Sequence, residues 1–399
     1  MRFRVSALLC LLAAACGPVP TEPTLVTDTS SDLPLKGLSD EWLTQFQEGD
    51  ALFELPYREA DGLGPLYIRS SCNACHRQAG RGPGVVTRLR QVDADGNTVP
   101  GQPELPYGNV VRPLTTGGAT PLSSPDSTDI VESFRAGIPV MGRGWMEAVT
   151  DAEILRVEAE QALRTDGISG HVNHVTYKSQ PNSDTRFHAY QPGETLIGRF
   201  GLKARQPSLD DFAADALQGD MGLTSPLRPT EVPNPDGRLD DMRDGVDLTL
   251  DQVNHIADYV RLIRIPGRGE PDAKGAALFE STNCGVCHVA NLATRADYPI
   301  PQLAGATAHV YTDLLVHDMG PTLADGIVDS EAGGSEWRTA PLIGVRFLNA
   351  FLHDGRAASV DEAIRLHGAE GSEAKLSVDA YLALSDDDRR ALLDFVSSL

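Results

Sequence analysis

Apolar residues recur at helical spacing in five segments of the chain, and three of these segments follow a residue that caps helices well. The five are marked by the predicted caps Ser39, Asp151 and Ser385 and by the ranges 208–220 and 249–263. Ser385 is followed three residues later by Asp388, which completes a capping box. The pattern therefore predicts five helices, the last of which closes the chain.

Strand signals are weaker than the helical ones. Residues 172–177 and 195–200 predict one small β-hairpin. The stretch 227–237 is rich in Pro and Gly and predicts a long loop. We expect a mainly α fold with long loops and a small β-hairpin.

The N-terminal segment has the pattern of an export signal. Arg2 and Arg4 precede an apolar run over 5–15 that is too short to span a bilayer. The run ends in three alanines before Cys16, an arrangement that resembles the cleavage site of a bacterial lipoprotein. We expect residues 1–15 to be a signal peptide and Cys16 to carry a lipid; an ordinary secreted protein cleaved nearby is the alternative.

Residues 16–36 are rich in Pro, Thr, Ser and Asp and predict a flexible tether after the lipid. No second apolar stretch is long enough to cross a bilayer. Gly17 resembles a sorting pattern for the outer membrane. The expected location is therefore periplasm-facing, with the lipid as the only membrane anchor and the outer membrane favoured over the inner.

The chain is acidic, with 34 Lys and Arg against 56 Asp and Glu among 399 residues and a formal charge of −22. Its hydrophobic fraction of 41% excludes a disordered chain. A negative surface repels phosphates, so we expect no nucleic acid partner. A protein partner is expected to dock through a basic face.

Two copies of one cysteine motif carry the strongest chemical signal. The C-x-x-C-H motifs consist of Cys72, Cys75 and His76, and of Cys284, Cys287 and His288. In such a motif two thiols bind a haem as thioethers, and the adjacent imidazole ligates the iron. A thioredoxin-like redox pair or a zinc site is the alternative, but a zinc site needs no His directly after the second Cys in both copies. We expect two covalently bound haems c, and no cysteine remains for a disulfide.

The motifs also indicate an internal repeat. Residues 64–67 and 276–279 align without gaps ahead of the two motifs. Residues 49–54 match 275–280 more closely, but they lie fourteen residues further from their motif and are interpreted as another helix of the same type.

The repeat predicts three parts of the mature chain beyond the tether. A first cytochrome-c-like haem domain covers 37–165, an inter-domain region covers 166–248, and a second such domain covers 249–399. We expect each haem domain to begin with a helix that packs on its closing helix. In the first domain the closing helix is the one after Asp151.

Several further stretches resemble the bacterial di-haem oxidoreductases, relatives of the di-haem cytochrome c peroxidases and of the di-haem enzymes that mature methylamine dehydrogenase. The stretches are residues 61–67, 197–204, 220–225, 317–320, 337–342, 351–357 and 362–364. The resemblance covers most of the mature chain. It implies two cytochrome-c-like domains that face each other, with one haem handling electrons and the other meeting substrate.

The sixth ligand of the second iron is predicted to be His367. A capping box of Ser359 and Glu362 begins a helix that places His367 on the same face as Ala363 and Ile364. Relatives carry Met or Tyr on this helix, so His367 departs from both. A partly buried structural His is the alternative.

For the first iron, Met141 or Met146 is the candidate sixth ligand, and core packing is the alternative for each. If neither binds, the iron is open to peroxide, and Glu147 is the candidate acid/base, unless it is simply a solvated carboxylate. Arg143 and Arg338 are candidate partners of the haem propionates. An acidic loop at 236–247 is a candidate calcium site, although it lacks EF-hand spacing.

Together these features predict a peroxidase-like haem oxidoreductase. Electrons are expected to pass between the two haems and to reduce peroxide or another small oxidant, at the first haem in our interpretation. One alternative is a non-catalytic electron-transfer cytochrome with both irons six-coordinate. Another is a maturation enzyme that oxidises a protein substrate.

Overall fold

The computed structural model describes residues 27–80, 85–93, 105–238 and 245–399. Helices dominate this part of the chain, which confirms the predicted mainly α class. The predicted signal peptide, Cys16 and the start of the tether lie outside the described residues. The α-helices are α1 (Asp40–Glu54), α2 (Arg143–Ala148), α3 (Asp151–Gln161), α4 (Leu209–Met221), α5 (Leu250–Leu262), α6 (Ala273–Ser281), α7 (Cys284–Cys287), α8 (Val360–His367), α9 (Lys375–Leu382) and α10 (Asp386–Ser398).

The described strands form small antiparallel sheets of two strands each. The pairs are β1 (Leu66–Tyr67) with β3 (Leu114–Thr115), β2 (Val85–Gln91) with β4 (Ile130–Ala136), β5 (His174–Thr176) with β6 (Thr195–Ile197), β7 (Leu292–Ala293) with β8 (Thr307–Ala308), and β9 (Val316–Asp318) with β10 (Glu336–Arg338). The predicted hairpin is the pair of β5 and β6.

The sequence pattern does not predict the longer antiparallel pair of β2 and β4, because the buried positions of these strands are not all apolar. Arg135 in β4 is only 6% exposed. Its guanidinium forms ion pairs with Asp325 and Asp329, at 2.7 Å each. In a sequence pattern a buried arginine counts as polar. The alternation of apolar and polar residues that identifies a half-buried strand is therefore lost.

Side-chain caps begin most of the predicted helices. The hydroxyls of Ser39 and Ser385 cap α1 and α10 as expected. At α3 the cap is Thr150 rather than the predicted Asp151, because the Thr150 hydroxyl accepts a hydrogen bond from the Glu153 amide at 3.0 Å. Asp151 is the first helical residue, where its charge favours the positive end of the helix.

Two close helix crossings are each built around a glycine. Gly49 of α1 lies against α5, where an added Cβ would come within 2.1 Å of the His255 carbonyl oxygen. Gly275 of α6 lies against α10, where the distance to the Ala391 carbonyl oxygen would be 2.2 Å. Both helix pairs therefore approach more closely than any larger residue at these positions allows.

These crossings correct the predicted repeat. Phe53 of α1 packs on Tyr259 of α5 with ring centroids 5.0 Å apart, and Phe279 of α6 packs on Phe395 of α10 at 5.5 Å. Residues 49–54 are thus the structural counterpart of 275–280. The helix that packs on α1 is α5, not the predicted α3, and α5 follows the predicted boundary at residue 249.

The last part of the predicted tether is bound to the fold. Asp28 accepts a hydrogen bond from the Arg264 side chain at 3.0 Å, and the Leu35 amide donates to the Leu262 carbonyl at 2.8 Å. The Leu35 side chain is buried. Asp28 and Leu35, which the prediction places in the tether, therefore contact the folded part of the chain. Among the described residues, no helix has the length and apolar character needed to cross a membrane.

Candidate haem sites

The second C-x-x-C-H motif forms the single helical turn α7, directly after α6. Both thiols, Cys284 and Cys287, are free and line one cavity. His288 follows the turn, and its Nδ1 lies 3.1 Å from the Tyr311 carbonyl oxygen, to which it donates. This bond places the ring proton on Nδ1 and leaves the Nε2 lone pair free. Burial lowers the pKa of His288 to about 4, which favours the neutral imidazole that binds iron.

His367 ends α8 and lines the same cavity as His288. Its helix is capped by Ser359, whose hydroxyl accepts from the Glu362 amide at 3.1 Å. His367 Nδ1 donates to the Ala363 carbonyl at 2.6 Å, so Nε2 of this ring also keeps its lone pair. Burial lowers the pKa of His367. Two neutral imidazoles therefore border one cavity, each with a free Nε2.

The cavity is bordered mainly by apolar side chains and has a volume of about 260 Å³. None of the residues of α8 is buried, yet Val360, Ala363 and Ile364 all line the cavity. The apolar face of a surface helix ordinarily packs against other protein atoms. Here that face packs in part on the core around Phe279 and Leu392 and in part borders the cavity. An apolar group held by thioethers at Cys284 and Cys287 fits these surroundings.

Two buried arginines line the same cavity, and neither forms an ion pair with a described residue. Arg143 is 4% exposed and donates from Nε to the Pro139 carbonyl at 2.9 Å. Arg338 is 6% exposed and donates to the carbonyls of Gly201 and Thr339. Burial lowers the pKa of Arg143 to about 9, and the charge of Arg338 lowers it in the same direction. Because buried cations need anionic partners, the pair fits the carboxylates of a haem, as predicted.

His317 lies on the cavity wall between two acids. Its Nε2 is 2.9 Å from Asp313, its Nδ1 is 2.7 Å from Glu373, and Nδ1 is 3.8 Å from the Cys287 sulfur. Burial opposes protonation, but the neighbouring negative groups raise the pKa of His317 well above its ordinary value. His317 is therefore bound by carboxylates of the protein itself. Its place in a family stretch of sequence does not reveal this pairing.

The first C-x-x-C-H motif forms a tight turn. The Cys72 carbonyl accepts hydrogen bonds from the amides of Cys75 and His76, at 3.0 and 2.9 Å. Phe53 packs near His76 with ring centroids 6.2 Å apart, just as Phe279 packs near the second motif's histidine at 6.4 Å. Burial lowers the pKa of His76 to about 4, so this imidazole is also neutral.

One buried polar atom near the first motif, the hydroxyl oxygen of Tyr57, lacks a hydrogen-bond partner among the described residues. Tyr57 is close enough to Cys72 for a charge on that sulfur to raise the pKa of the phenol. Buried polar groups are rarely left unsatisfied in native proteins. The Tyr57 hydroxyl is therefore suited to a polar group of a ligand attached at Cys72.

The contacts of the two candidate methionines argue against their role as ligands of the first iron. The Met146 sulfur accepts a hydrogen bond from Arg143 Nη1 at 2.9 Å. The Met141 sulfur packs against Gly344, where an added Cβ would lie 2.5 Å from it. Both side chains are fully buried and neither lines the cavity. Each sulfur is thus engaged by a protein neighbour other than His76.

Glu147, the predicted acid/base, is held in a buried ion pair. Its Oε2 lies 2.7 Å from both Arg261 Nε and the Tyr298 hydroxyl, and its Oε1 accepts from the Leu209 amide at 2.8 Å. Burial raises its pKa, but the Arg261 charge outweighs burial and the net shift is downward. Glu147 remains charged and has no free oxygen for a peroxide proton.

Asp220 is a better candidate for that role, and it lies at the end of α4 beside the first motif. Its charge raises the pKa of both Cys72 and Cys75. Burial raises the pKa of Asp220 itself to about 6, and the like charge of Asp215 adds to this shift. No described residue donates a hydrogen bond to its side chain. The sequence shows Asp220 at the end of a predicted helix and at the start of a family stretch, but its burial depends on distant segments.

The described acids of the candidate calcium loop are bound within the protein. Asp236 accepts from the Thr120 amide at 2.7 Å, and Asp247 accepts from the amide and hydroxyl of Thr224 at 2.8 and 2.6 Å. Residues 239–244 of this loop lie outside the described part of the chain. In the part that is described, the one group of acids, histidines and cysteines close enough to share a metal ion consists of Cys287, Asp313 and His317. The described part of the loop thus provides no support for calcium.

Comparison with protein families identifies the chain. The family described as "Di-haem oxidoreductase, putative peroxidase" matches residues 27–99 and 118–399. The chain therefore belongs to this di-haem oxidoreductase family, which implies haem cofactors and agrees with the two C-x-x-C-H motifs and the cavity. No curated protein matches the chain.

Two solved structures are similar over most of the chain. Hydrazine synthase from Kuenenia stuttgartiensis shares 12% identity with a TM-score of 0.39, and the alignment covers 97% of this chain and 100% of that one. The diheme peroxidase BthA from Burkholderia thailandensis shares 14% identity with a TM-score of 0.39, covering 89% of this chain and 86% of that one. Likeness at this level says nothing about the activity of this chain.

Proposed function

We propose that the protein is a di-haem c-type oxidoreductase that transfers electrons between two covalent haems and reduces peroxide or another small oxidant at the first. The observation that carries the proposal is the contrast between the two sites. His288 and His367 border one cavity with their Nε2 atoms free, whereas the two methionines predicted as partners of His76 have sulfurs in contact with Arg143 and Gly344.

The second site has the residues of an electron-transfer centre. Cys284 and Cys287 would hold the haem, and His288 and His367 would fill both axial positions. A haem with both axial positions filled carries electrons, whereas one with an open position can also bind peroxide. The neutral state of both imidazoles, set by burial, keeps their lone pairs available. Arg143 and Arg338 would neutralise the propionates.

The first site has the residues of a reactive centre. Cys72 and Cys75 would hold the haem and His76 would be its proximal ligand. Asp220 would hold and release the proton that must move when peroxide is cleaved, since its pKa lies near 6 and no described residue donates to its carboxylate. Glu147 would keep α2 and α5 together through Arg261.

Outside the sites, we propose that the mature protein is anchored by a lipid on Cys16 and faces the periplasm. Its electrons would come from a protein with a basic face, which complements the excess of acidic residues. Replacing Cys16 by Ser tests the anchor. The variant should leave the membrane fraction, and its retention there would contradict lipidation.

The spin states of the two irons in the purified protein test the proposed activity. We expect one low-spin and one high-spin haem, and we expect the spectrum of the high-spin haem to change when hydrogen peroxide is added. Consumption of peroxide with a reduced electron donor should follow. Two low-spin haems in both redox states, inert to peroxide, would instead indicate an electron-transfer cytochrome and would overturn the enzyme proposal.

A further inference from the structure

A buried cluster of charged side chains lies on the wall of the second cavity. It consists of Asp313, His317 and Glu373, which we call the His317 cluster. The imidazole contacts Asp313 through Nε2 and Glu373 through Nδ1, at 2.9 and 2.7 Å. Within the described part of the chain, no lysine or arginine forms an ion pair with either carboxylate. Because two ionised carboxylates share one imidazole, the cluster carries net negative charge in either protonation state of His317.

The His317 cluster is held in one arrangement. Its carboxylates accept further hydrogen bonds at 2.9 to 3.1 Å, from the Leu315 amide and the Gln161 side chain at Asp313 and from the Asp318 and Ser169 amides at Glu373. An added Cβ at Gly170 would lie 2.4 Å from Cε1 of His317, so backbone covers the ring. The side chains of Asp313 and His317 are 0% and 3% exposed. Charges buried to this extent are weakly screened by salt.

The cluster lies against the residues that would hold the second haem. Nδ1 of His317 is 3.8 Å from the Cys287 sulfur, and His317 and Glu373 both line the second cavity. Gln161, which donates to Asp313, also donates from Nε2 to the Val286 carbonyl at 2.9 Å. Val286 lies between the two cysteines of the second motif. Hydrogen bonds therefore fix the negative cluster relative to the haem-attachment turn.

We infer that the His317 cluster lowers the reduction potential of the second haem, which favours electron transfer from this haem to the first. The inference rests on the two haems of the proposed function. Oxidation raises the charge of an iron centre by one unit, so nearby negative charge favours the oxidised state. Arg143 and Arg338 line the same cavity and act in the opposite direction, but the haem propionates would neutralise them.

The inference is tested by removing the charge of one carboxylate while its shape is kept. Asp313→Asn and Glu373→Gln should each raise the potential of the second haem and leave that of the first near its value in the unsubstituted protein. The shift should be larger for Asp313, which is fully buried. Glu370→Gln is the matched control, since Glu370 is an exposed acid three residues before Glu373, and it should leave both potentials unchanged.

Potentiometric titration of the purified holoprotein, with electron paramagnetic resonance to distinguish the haems, measures both potentials. The haem content of each variant is first confirmed to be two per chain. If Asp313→Asn does not retain two haems, Glu373→Gln decides alone, because its side chain is 15% exposed and tolerates the change better.

A downward shift of the second potential, or none, would overturn the inference. Loosened packing would give the downward shift, since water that enters the site stabilises the more highly charged oxidised state. An equal shift in Glu370→Gln would also contradict a specific effect of the cluster. Peroxide takes no part in the measurement, so the inferred effect on the potential can fail while the proposed peroxide reduction stands, and the reverse is also true.

Discussion

At the scale of single residues, the hydrogen bond at one ring nitrogen decides what the other nitrogen can do. His288 and His367 both donate from Nδ1 to backbone carbonyls, those of Tyr311 and Ala363. Neither bond can be read from spacing alone. The sequence predicts that His367 lies on the helix face of Ala363 and Ile364, but the tautomer of its ring depends on the position of the Ala363 carbonyl.

Replacing His367 by Ala should convert the second haem from low spin to high spin, because the ring that would fill the sixth position is removed. Absorption and electron paramagnetic resonance spectra of the holoprotein measure the change. His309→Ala is the control, since His309 is exposed and its ring forms a hydrogen bond with Asn291. Unchanged spectra of both haems in His367→Ala would show that His367 is structural.

Asp220 should set the acid side of the pH profile of peroxide reduction. Its carboxylate form accepts the proton, so the rate should fall as the pH drops through about 6, where Asp220 becomes protonated. Asp220→Asn should lower the rate by roughly 10²-fold or more and remove this pH dependence. Steady-state rates between pH 4.5 and 8, values chosen about the expected midpoint, test this.

Glu147→Gln is the comparison for Asp220, because Glu147 pairs with Arg261 and not with a reactive group. We expect this variant to keep the pH profile and to lose about 1–3 kcal/mol of unfolding free energy, since a buried charged hydrogen bond is weakened. Chemical denaturation measures the loss. A flattened pH profile in Glu147→Gln would restore the role that the sequence suggested.

At the scale of helices and strands, local signals are reliable and pairings between distant segments are not. Caps such as Ser39 and Ser385 depend on neighbouring residues and are predicted correctly. The partner of α1 is α5, which is far away in the sequence, and the pattern of α3 is equally suitable for a closing helix. The match of residues 49–54 with 275–280 indicates that α1 corresponds to α6. The longer segment between α1 and its motif makes this alignment look less suitable than the one without gaps.

The glycines at the two helix crossings should be intolerant of substitution. Gly49→Ala and Gly275→Ala each force a methyl group into a backbone contact and should lower the unfolding free energy by about 1–3 kcal/mol. Gly219→Ala in α4 is the control, because no atom lies within 4 Å of its added Cβ. There the better helix propensity of Ala should stabilise by up to about 1 kcal/mol. Equal stability of all three variants would contradict the close crossings.

At the scale of the whole molecule, the excess of 56 acidic over 34 basic residues should govern how the protein meets its electron donor. Electron transfer from a basic protein donor should slow as salt is raised from about 10 to 200 mM, over which the screening length falls from about 30 Å to below 10 Å. A neutral small-molecule donor is the control and should show little change. Stopped-flow rates that do not change with salt would show that the net negative charge of the protein affects its solubility and not its docking.

The position of α5 in the chain also has a consequence for biosynthesis. The first haem-attachment motif ends at His76, but the helix that closes its domain begins only at Leu250. As the chain is made, His76 emerges long before α1 can find its partner, and residues 77–249 must follow first. Cys72 and Cys75 are therefore presented in an incomplete domain while these residues are made, when a modifying enzyme can reach them. Truncation anywhere before α5 would leave the first domain unable to close.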